Sequence, residues 1–166
     1  MTVSNEELRA AMRLWATGVT VVTANHEGVR HGMTVSSFTS VSLDPPLILI
    51  CLERNTRTRQ LVLDSAVFAV NLLSDQQVDL SNRFAGRISD LDDRFVELNT
   101  TTLETGAPLL DGALAWMDCR VSAVFEMSTH TIIVGQVIAV KSFLEGETDA
   151  SPLLYYNRSY RVLQGK

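Results

Sequence analysis

The longest alternation of apolar and polar positions in the chain runs over residues 113–127. Ala113, Ala115, Met117, Cys119, Val121, Ala123, Phe125 and Met127 are apolar at every second position, with Asp118, Arg120, Ser122 and Glu126 between them. A period of two is that of a strand with one buried face. Ser128-Thr-His130 then reads as a turn, and residues 131–143 return as a strand that is apolar on both faces. Residues 47–52 are short, bounded and wholly apolar, as a central strand would be. The β-branched runs 19–24 and 66–73 add two more strands. Asn25-His-Glu-Gly28 supplies turn residues, so Val29 begins the second arm of a hairpin. Residues 33–43 carry a further period-two pattern, and Asp44-Pro45-Pro46 is expected to interrupt pairing, because proline has no N–H for a ladder.

Helical spacing appears in three places. Ser4 with Glu7 forms a capping box, after which Leu8, Ala11, Met12 and Trp15 share one face until Gly18. Residues 56–64 and 75–84 read as shorter helices, the second with Asp75 as cap and Val78 and Leu80 apolar. Residues 85–112 read as loop, and the aromatic tail 152–160 as a docked segment. Five or six strands, two or three short helices and long hairpins predict a mainly β fold, an antiparallel barrel with helical decoration. The C-terminal half lacks the strand–helix alternation of a doubly wound fold, and no GxGxxG is present.

Composition narrows the function classes. With 166 residues, 46% hydrophobic and 20% charged, the chain fits one domain, 1–166. A net charge of -5 argues against binding to nucleic acid or an anionic membrane. Cys51 and Cys119 lie in apolar runs and read as free, buried thiols. Without CxxC, HExxH or clustered His/Cys spacing, no metal site is expected. The first residues lack the apolar core of a signal peptide, and residues 47–52 are too short to cross a bilayer, so a soluble cytoplasmic protein is expected.

Three segments carry candidate chemistry. Thr34, Ser36, Ser37, Thr39, Ser40 and Ser42 place six hydroxyls in nine positions. They read either as a solvated edge strand or as a wall of donors and acceptors for a heterocycle, with Met33 and Phe38 offering apolar contact. Arg54-Asn-Thr-Arg-Thr-Arg59 stands between a strand and a helix. There a helix N-terminus and three cations suit a phosphate, although a basic cluster also serves as a solvated face. Phe84-Ala-Gly86 with Asp93-Arg-Phe95 is the third; Gly86 permits close backbone approach, and Arg94 could meet a phosphate or an aspartate. His130 stands at a turn, where solvation is the simpler reading, and His26 and His31 are weaker candidates still. Tyr155, Tyr156 and Tyr160 suit packing or stacking on a ligand.

In order along the chain, Trp15-Ala-Thr-Gly-Val-Thr-Val-Val-Thr23, residues 32–46, Phe68-Ala-Val-Asn-Leu-Leu73, Phe84-Ala-Gly86, Asp93-Arg-Phe95, Gly106-Ala-Pro-Leu109 and Pro152-Leu-Leu-Tyr-Tyr156 resemble the short-chain flavin reductase family. The resemblance implies an FMN-binding split β-barrel of Greek-key type. It implies a homodimer that uses NADH or NADPH to reduce FMN or FAD, the reduced flavin diffusing to a flavin-dependent monooxygenase component. On this resemblance Met33, Thr34, Val35, Ser36 and Ser37 would line the isoalloxazine, with Ser42 further along the same hydroxyl run. Cys51, Leu52, Asn55, Thr56 and Thr58 would hold the ribityl chain and phosphate. Phe84, Ala85 and Gly86 would approach from the other side, and His130 and Tyr155 match positions associated with the nicotinamide. His130 would then orient the nicotinamide or supply a proton. The family often has Thr-Ala-Asn-Ser-Phe where this chain has Thr34-Val-Ser-Ser-Phe38, and Gly-Asp-His where it has Ser128-Thr-His130. These departures leave the preferences for flavin and nicotinamide open. Two alternatives share the barrel: an oxidase of the pyridoxamine-phosphate type and a flavin-binding module without turnover.

Overall fold

In the computed structural model, which describes residues 3–88, 93–143 and 150–163, the two long strands predicted from alternation pair as one antiparallel hairpin. The first half of the chain forms α1 (Asn5–Met12), β1 (Thr17–Gly18), β2 (Thr20–His26), β3 (Val29–Val35), β4 (Phe38–Leu43), β5 (Pro46–Glu53), α2 (Arg57–Ser65) and β6 (Val67–Leu72). A 3-10 turn (Asp75–Gln77) then runs into α3 (Val78–Phe84). The short strands β7 (Thr100–Thr101) and β8 (Leu109–Leu110) precede the long hairpin β9 (Ala115–Met127) and β10 (His130–Ser142), and β11 (Leu154–Tyr156) and β12 (Ser159–Arg161) close the chain.

Seven strands make one antiparallel sheet in the order β3-β2-β6-β9-β10-β5-β4. Its two edges, β3 and β4, are separated in the chain only by Ser36 and Ser37. Three Cα steps reach at most roughly 11 Å, about two strand spacings. The sheet must therefore curl until its edges stand side by side, which makes a barrel with an open seam. This is the split barrel that the resemblance implied. Two register shifts in the β9–β10 ladder, at Val134/Gly135 and Val137/Ala139, supply curvature.

The barrel core contains Val22, Ile48, Ile50, Leu52, Phe68, Val70 and Ile133, and α2 adds Leu61 and Val62 to it. Gly135 belongs to this packing, since a Cβ there would lie 2.4 Å from Phe68 Cζ. A second cluster of Val19, Val21, Leu73, Phe84, Phe95, Leu110 and Leu153 covers the other face of β2, so this strand is buried on both sides. Burying each such large aliphatic or aromatic side chain favours folding by about 1.5–3 kcal/mol.

Several sequence expectations shift. The capping box is present, with Ser4 Oγ accepting from Glu7 N and Ser4 N donating to Glu7 Oε2, but α1 stops at Met12, well before Gly18. Thr17 and Gly18 instead pair with Tyr155 and Leu154. The strand expected over 33–43 is broken at Ser36-Ser37. Asp44-Pro45 does not interrupt pairing: it is the loop of the β4–β5 hairpin, and Pro46 opens β5 opposite Leu43. The first position of a strand is one that proline tolerates. The loop 85–112 contains the small β7–β8 pair, and the aromatic tail docks as predicted.

Candidate functional site

Breaking the ladder at the seam has a chemical consequence. Among the described residues, neither the Ser36 N–H nor the Ser37 N–H donates a hydrogen bond. The Ser37 carbonyl accepts from Cys51 N (3.1 Å) and its Oγ donates to the Cys51 carbonyl (2.7 Å), so Ser37 ties the seam to β5. Two adjacent backbone donors are thereby held in place without a partner of their own, which suits the carbonyls and ring nitrogens of a flat heterocycle.

Beside the seam, α3 lies on β3. Gly32 permits this contact: a Cβ there would come within 2.9 Å of the Phe84 ring and 3.0 Å of the Val22 carbonyl. The chain then turns at Gly86, whose φ of 69° lies in the left-handed region. The segment 93–95 folds back over the same place. Asp93 accepts from Phe95 N (2.8 Å) and from Arg30 (3.1 Å), Phe95 meets Phe84 edge to face, and Arg94 donates to the carbonyls of Gly32 (3.0 Å) and Phe84 (2.8 Å). Arg94 thus joins β3 to the end of α3.

These elements enclose a cavity of about 480 Å³ lined by His31, Met33, Thr34, Glu53, Asn55, Thr56, Arg57, Thr58, Phe84, Ala85 and Arg94. A second, of about 180 Å³, is lined by Val19, Thr34, Ser36, Ser81, Ala85, Arg87, Tyr155 and Tyr160. Thr34 and Ala85 border both, so the two cavities adjoin, and the larger falls within the roughly 300–1,000 Å³ that cofactor sites occupy.

The larger cavity is cationic. Thr56 caps α2, its hydroxyl accepting from Arg59 N and donating to the Glu53 carbonyl (2.8 Å), while the Arg57 and Thr58 N–H groups begin the helix with no partner among the described residues. The three arginines of the sequence cluster take different parts. Arg54 bonds to Glu126 (3.2 Å) and the Ser128 carbonyl, and Arg59 bonds to Glu126 and Thr131. Among the described residues no hydrogen bond or ion pair engages Arg57, and it lines the cavity. His31 Nδ1 lies 2.8 Å from Thr58 Oγ1, and burial, aided by Arg94 and Arg57, pushes this imidazole down to about 4, so it is neutral at physiological pH. Burial also lowers the Arg94 guanidinium from its usual value. One uncommitted guanidinium, a second at the wall and an open helix N-terminus form a donor set for a phosphate.

The smaller cavity is aromatic. Tyr155 and Tyr160 meet edge to face at 5.4 Å, Arg87 bonds to the Tyr155 hydroxyl (3.2 Å), and the Tyr160 hydroxyl reaches Ser81 and Asn82. Thr34 donates to the Ser81 carbonyl (2.7 Å) and keeps only its lone pairs for a ligand.

The structure therefore brings together Met33, Thr34, Ser36, Asn55, Thr56, Thr58, Phe84, Ala85 and Tyr155 of the residues expected from the sequence. Val35 and Leu52 point into the core, at 4% and 0% exposure, and line neither cavity. Cys51 is half-buried behind Ser37, and burial raises its thiol. Gly86 shapes the turn, where a Cβ would meet Arg94 at 3.0 Å. Ser42 is four positions beyond Phe38 on β4 and accepts from Asp44 N, outside the cleft. His130 is exposed at the start of β10, opposite Glu53 on the rim, with Nδ1 2.9 Å from Thr129 Oγ1. Sequence reasoning gave His31 little weight and missed Ser81 and Arg87. His31 stands two positions before Met33, and that strand period was the available signal; nothing local marks Arg87.

Comparisons with known proteins point the same way. The flavin reductase like domain family matches residues 12–164. A Rhizobium meliloti (strain 1021) protein described as a probable flavin reductase is 41% identical over 136 residues, which is 81% of this chain but only 43% of that protein's length. The reductase subunit HsaB of a flavin-dependent monooxygenase from Mycobacterium tuberculosis (strain CDC 1551 / Oshkosh) is 35% identical over 94% of this chain and 81% of its own. Among solved structures, the NADH:FAD oxidoreductase SgcE6 of Streptomyces globisporus C-1027, in complex with NAD and FAD fragments, superposes with a TM-score of 0.86 at 32% identity, covering 99% of this chain and 97% of that one. This chain belongs to the flavin reductase-like domain family.

Proposed function

We propose that the chain is an NAD(P)H:flavin oxidoreductase that reduces FMN or FAD and supplies the product to a flavin-dependent monooxygenase. The observation that carries the reading is the pair of adjoining cavities with cations at Arg57 and Arg94, an apolar contact at Met33, and free backbone donors at the Ser36-Ser37 seam. These residues fit a phosphorylated, flat, carbonyl-bearing ring system in that order. The flavin and the nicotinamide, when bound, supply the hydride transfer between them. The protein's part is to position both and to present dipoles where negative charge develops. Arg57 and the α2 N-terminus would hold the phosphate, and the Ser36 and Ser37 N–H groups would face the ring's polar edge. Exposed His130 would orient the nicotinamide at the rim.

A homodimer is part of the proposal, supported by large apolar side chains left exposed on α1, in the segment after it and on β4, including Leu8 (57%), Trp15 (66%) and Leu43 (90%). No helix among the described residues is long and apolar enough to cross a membrane. A cytoplasmic location is part of the proposal through the expected oxygenase partner.

The test is oxidation of NADH and NADPH with and without added FMN, FAD or riboflavin. Turnover that depends on free flavin is expected. A protein that keeps its flavin through purification and oxidises neither nicotinamide would overturn the reductase reading in favour of a binding module. For His130→Ala, a raised KM for the nicotinamide is expected; unchanged kcat and KM would remove it from the site.

A further inference from the structure

His31 is a polar side chain in the cleft that the proposed mechanism does not use. It stands on β3 two positions before Met33, lines the same cavity as Arg57 and Arg94, and is half-buried there. Its Nδ1 is committed to Thr58, whose hydroxyl is fully buried in the first turn of α2. The ring's other nitrogen has no hydrogen bond among the described residues. That nitrogen stands on a residue that lines the cavity beside two guanidiniums, so it is open to a ligand placed there.

Thr58 can also serve either state of the ring. A hydroxyl donates and accepts, so when it donates to Nδ1 the neutral imidazole must carry its proton on Nε2. That tautomer presents an N–H rather than a lone pair at the position where an anion's oxygens would stand. The low proton affinity of the buried ring keeps it in this neutral form. A neutral donor adds one directed hydrogen bond without adding charge, whereas the guanidiniums bring both charge and a fork of donors.

We propose that His31 is a specificity-determining residue for the phosphate of the cleft's ligand, with Thr58 holding Nδ1 so that Nε2–H donates to a phosphate oxygen at the Arg57–Arg94 end. This rests on the flavin reading of the same cleft and adds to it the residue that separates a phosphorylated flavin from an unphosphorylated one. It also gives Thr58 a positioning role, acting through His31 as well as through the helix it begins.

Two isosteric variants separate this role from a purely structural one. In His31→Asn the amide takes the place of Nδ1, so the bond to Thr58 survives and the Nε2 donor is lost. In His31→Gln the amide reaches the place of Nε2 and the Thr58 bond is lost. The measurement is the Kd of FMN and of riboflavin, read from quenching of flavin fluorescence on the intact protein without nicotinamide, with a thermal melt of each variant to establish folding. The expected result is that His31→Asn weakens FMN about tenfold, the cost of one hydrogen bond to a charged group, leaves riboflavin unchanged, and that His31→Gln recovers most of the FMN affinity. Loss of FMN binding in His31→Gln but not in His31→Asn would assign His31 to Thr58 alone and overturn the proposal. So would variants that weaken FMN and riboflavin equally, or that change neither. The flavin reading is judged separately on the wild-type chain: if this binds neither FMN nor riboflavin, that reading fails before the variants are compared.

Discussion

Arg57 is placed against the interest of its own helix. The first turn of α2 has no acidic residue and begins with a cation, where the helix dipole favours an anion by about 0.3–1 kcal/mol. Arg59 is compensated, because its guanidinium, only 15% exposed, is held by Glu126 and Thr131. Arg57 has no such partner among the described residues. Arg57→Ala is therefore expected to leave stability unchanged or raise it by a few tenths of a kcal/mol, while removing a charge-assisted bond to the ligand's phosphate of about 1.5–3 kcal/mol. That corresponds to roughly 10- to 100-fold weaker FMN binding with riboflavin unaffected. Arg59→Ala should do the reverse, costing about 1–2 kcal/mol of stability through the β9–β10 hairpin with a smaller effect on affinity. Urea unfolding and flavin fluorescence titration on the two variants measure both quantities. If Arg57→Ala binds FMN as the wild type does, or weakens FMN and riboflavin alike, the phosphate is not held at the start of α2 and the orientation proposed for the ligand is wrong.

Two further outcomes test the frame around the site. Gly135→Ala places a methyl group 2.4 Å from Phe68 Cζ and 3.2 Å from Cys119 Cβ, both in residues with 0% exposure, so an overpacking cost of about 2–3 kcal/mol is expected; urea unfolding should show it, with Phe68→Leu in the same chain recovering part, and an unchanged midpoint would mean that the barrel interior is looser than described. Burial holds the His31 imidazole at about 4 when folded against an ordinary 6.5, so the unfolded chain takes up a proton more readily. The stability this gives is full above pH 6.5 and declines as the pH falls towards about 4. The full shift converts to about 3 kcal/mol, and discounting for the ring's partial exposure leaves about 1–2 kcal/mol. In urea unfolding between neutral pH and pH 4.5 the wild type should lose up to that much more stability than His31→Asn; parallel profiles would mean that the ring titrates normally in the fold.

What the sequence made legible was local, and what it hid depended on closure of the barrel. The alternation over 113–127 identified β9 because period two is a property of the strand itself. The break at Ser36-Ser37 was not legible, because it exists only once β3 and β4 become opposite edges of one sheet. Pro45 and Pro46, the conspicuous breakers nearby, drew the expected interruption to a place where the chain makes an ordinary hairpin. The same reasoning explains the arginines. Composition showed three cations around the start of α2, but their division of labour is decided by Glu126, which is 67 positions from Arg59 and arrives only when β10 pairs with β5. It withdraws Arg54 and Arg59 from the ligand and leaves Arg57. His31 and Arg94 join Arg57 by the same kind of non-local event, the packing of α2 on β3 for His31 and the folding of 93–95 over β3 for Arg94. The cationic end of the cleft is therefore a product of tertiary structure rather than of the basic cluster. A variant that detaches Glu126 should accordingly redistribute charge in the site without altering any residue that lines it.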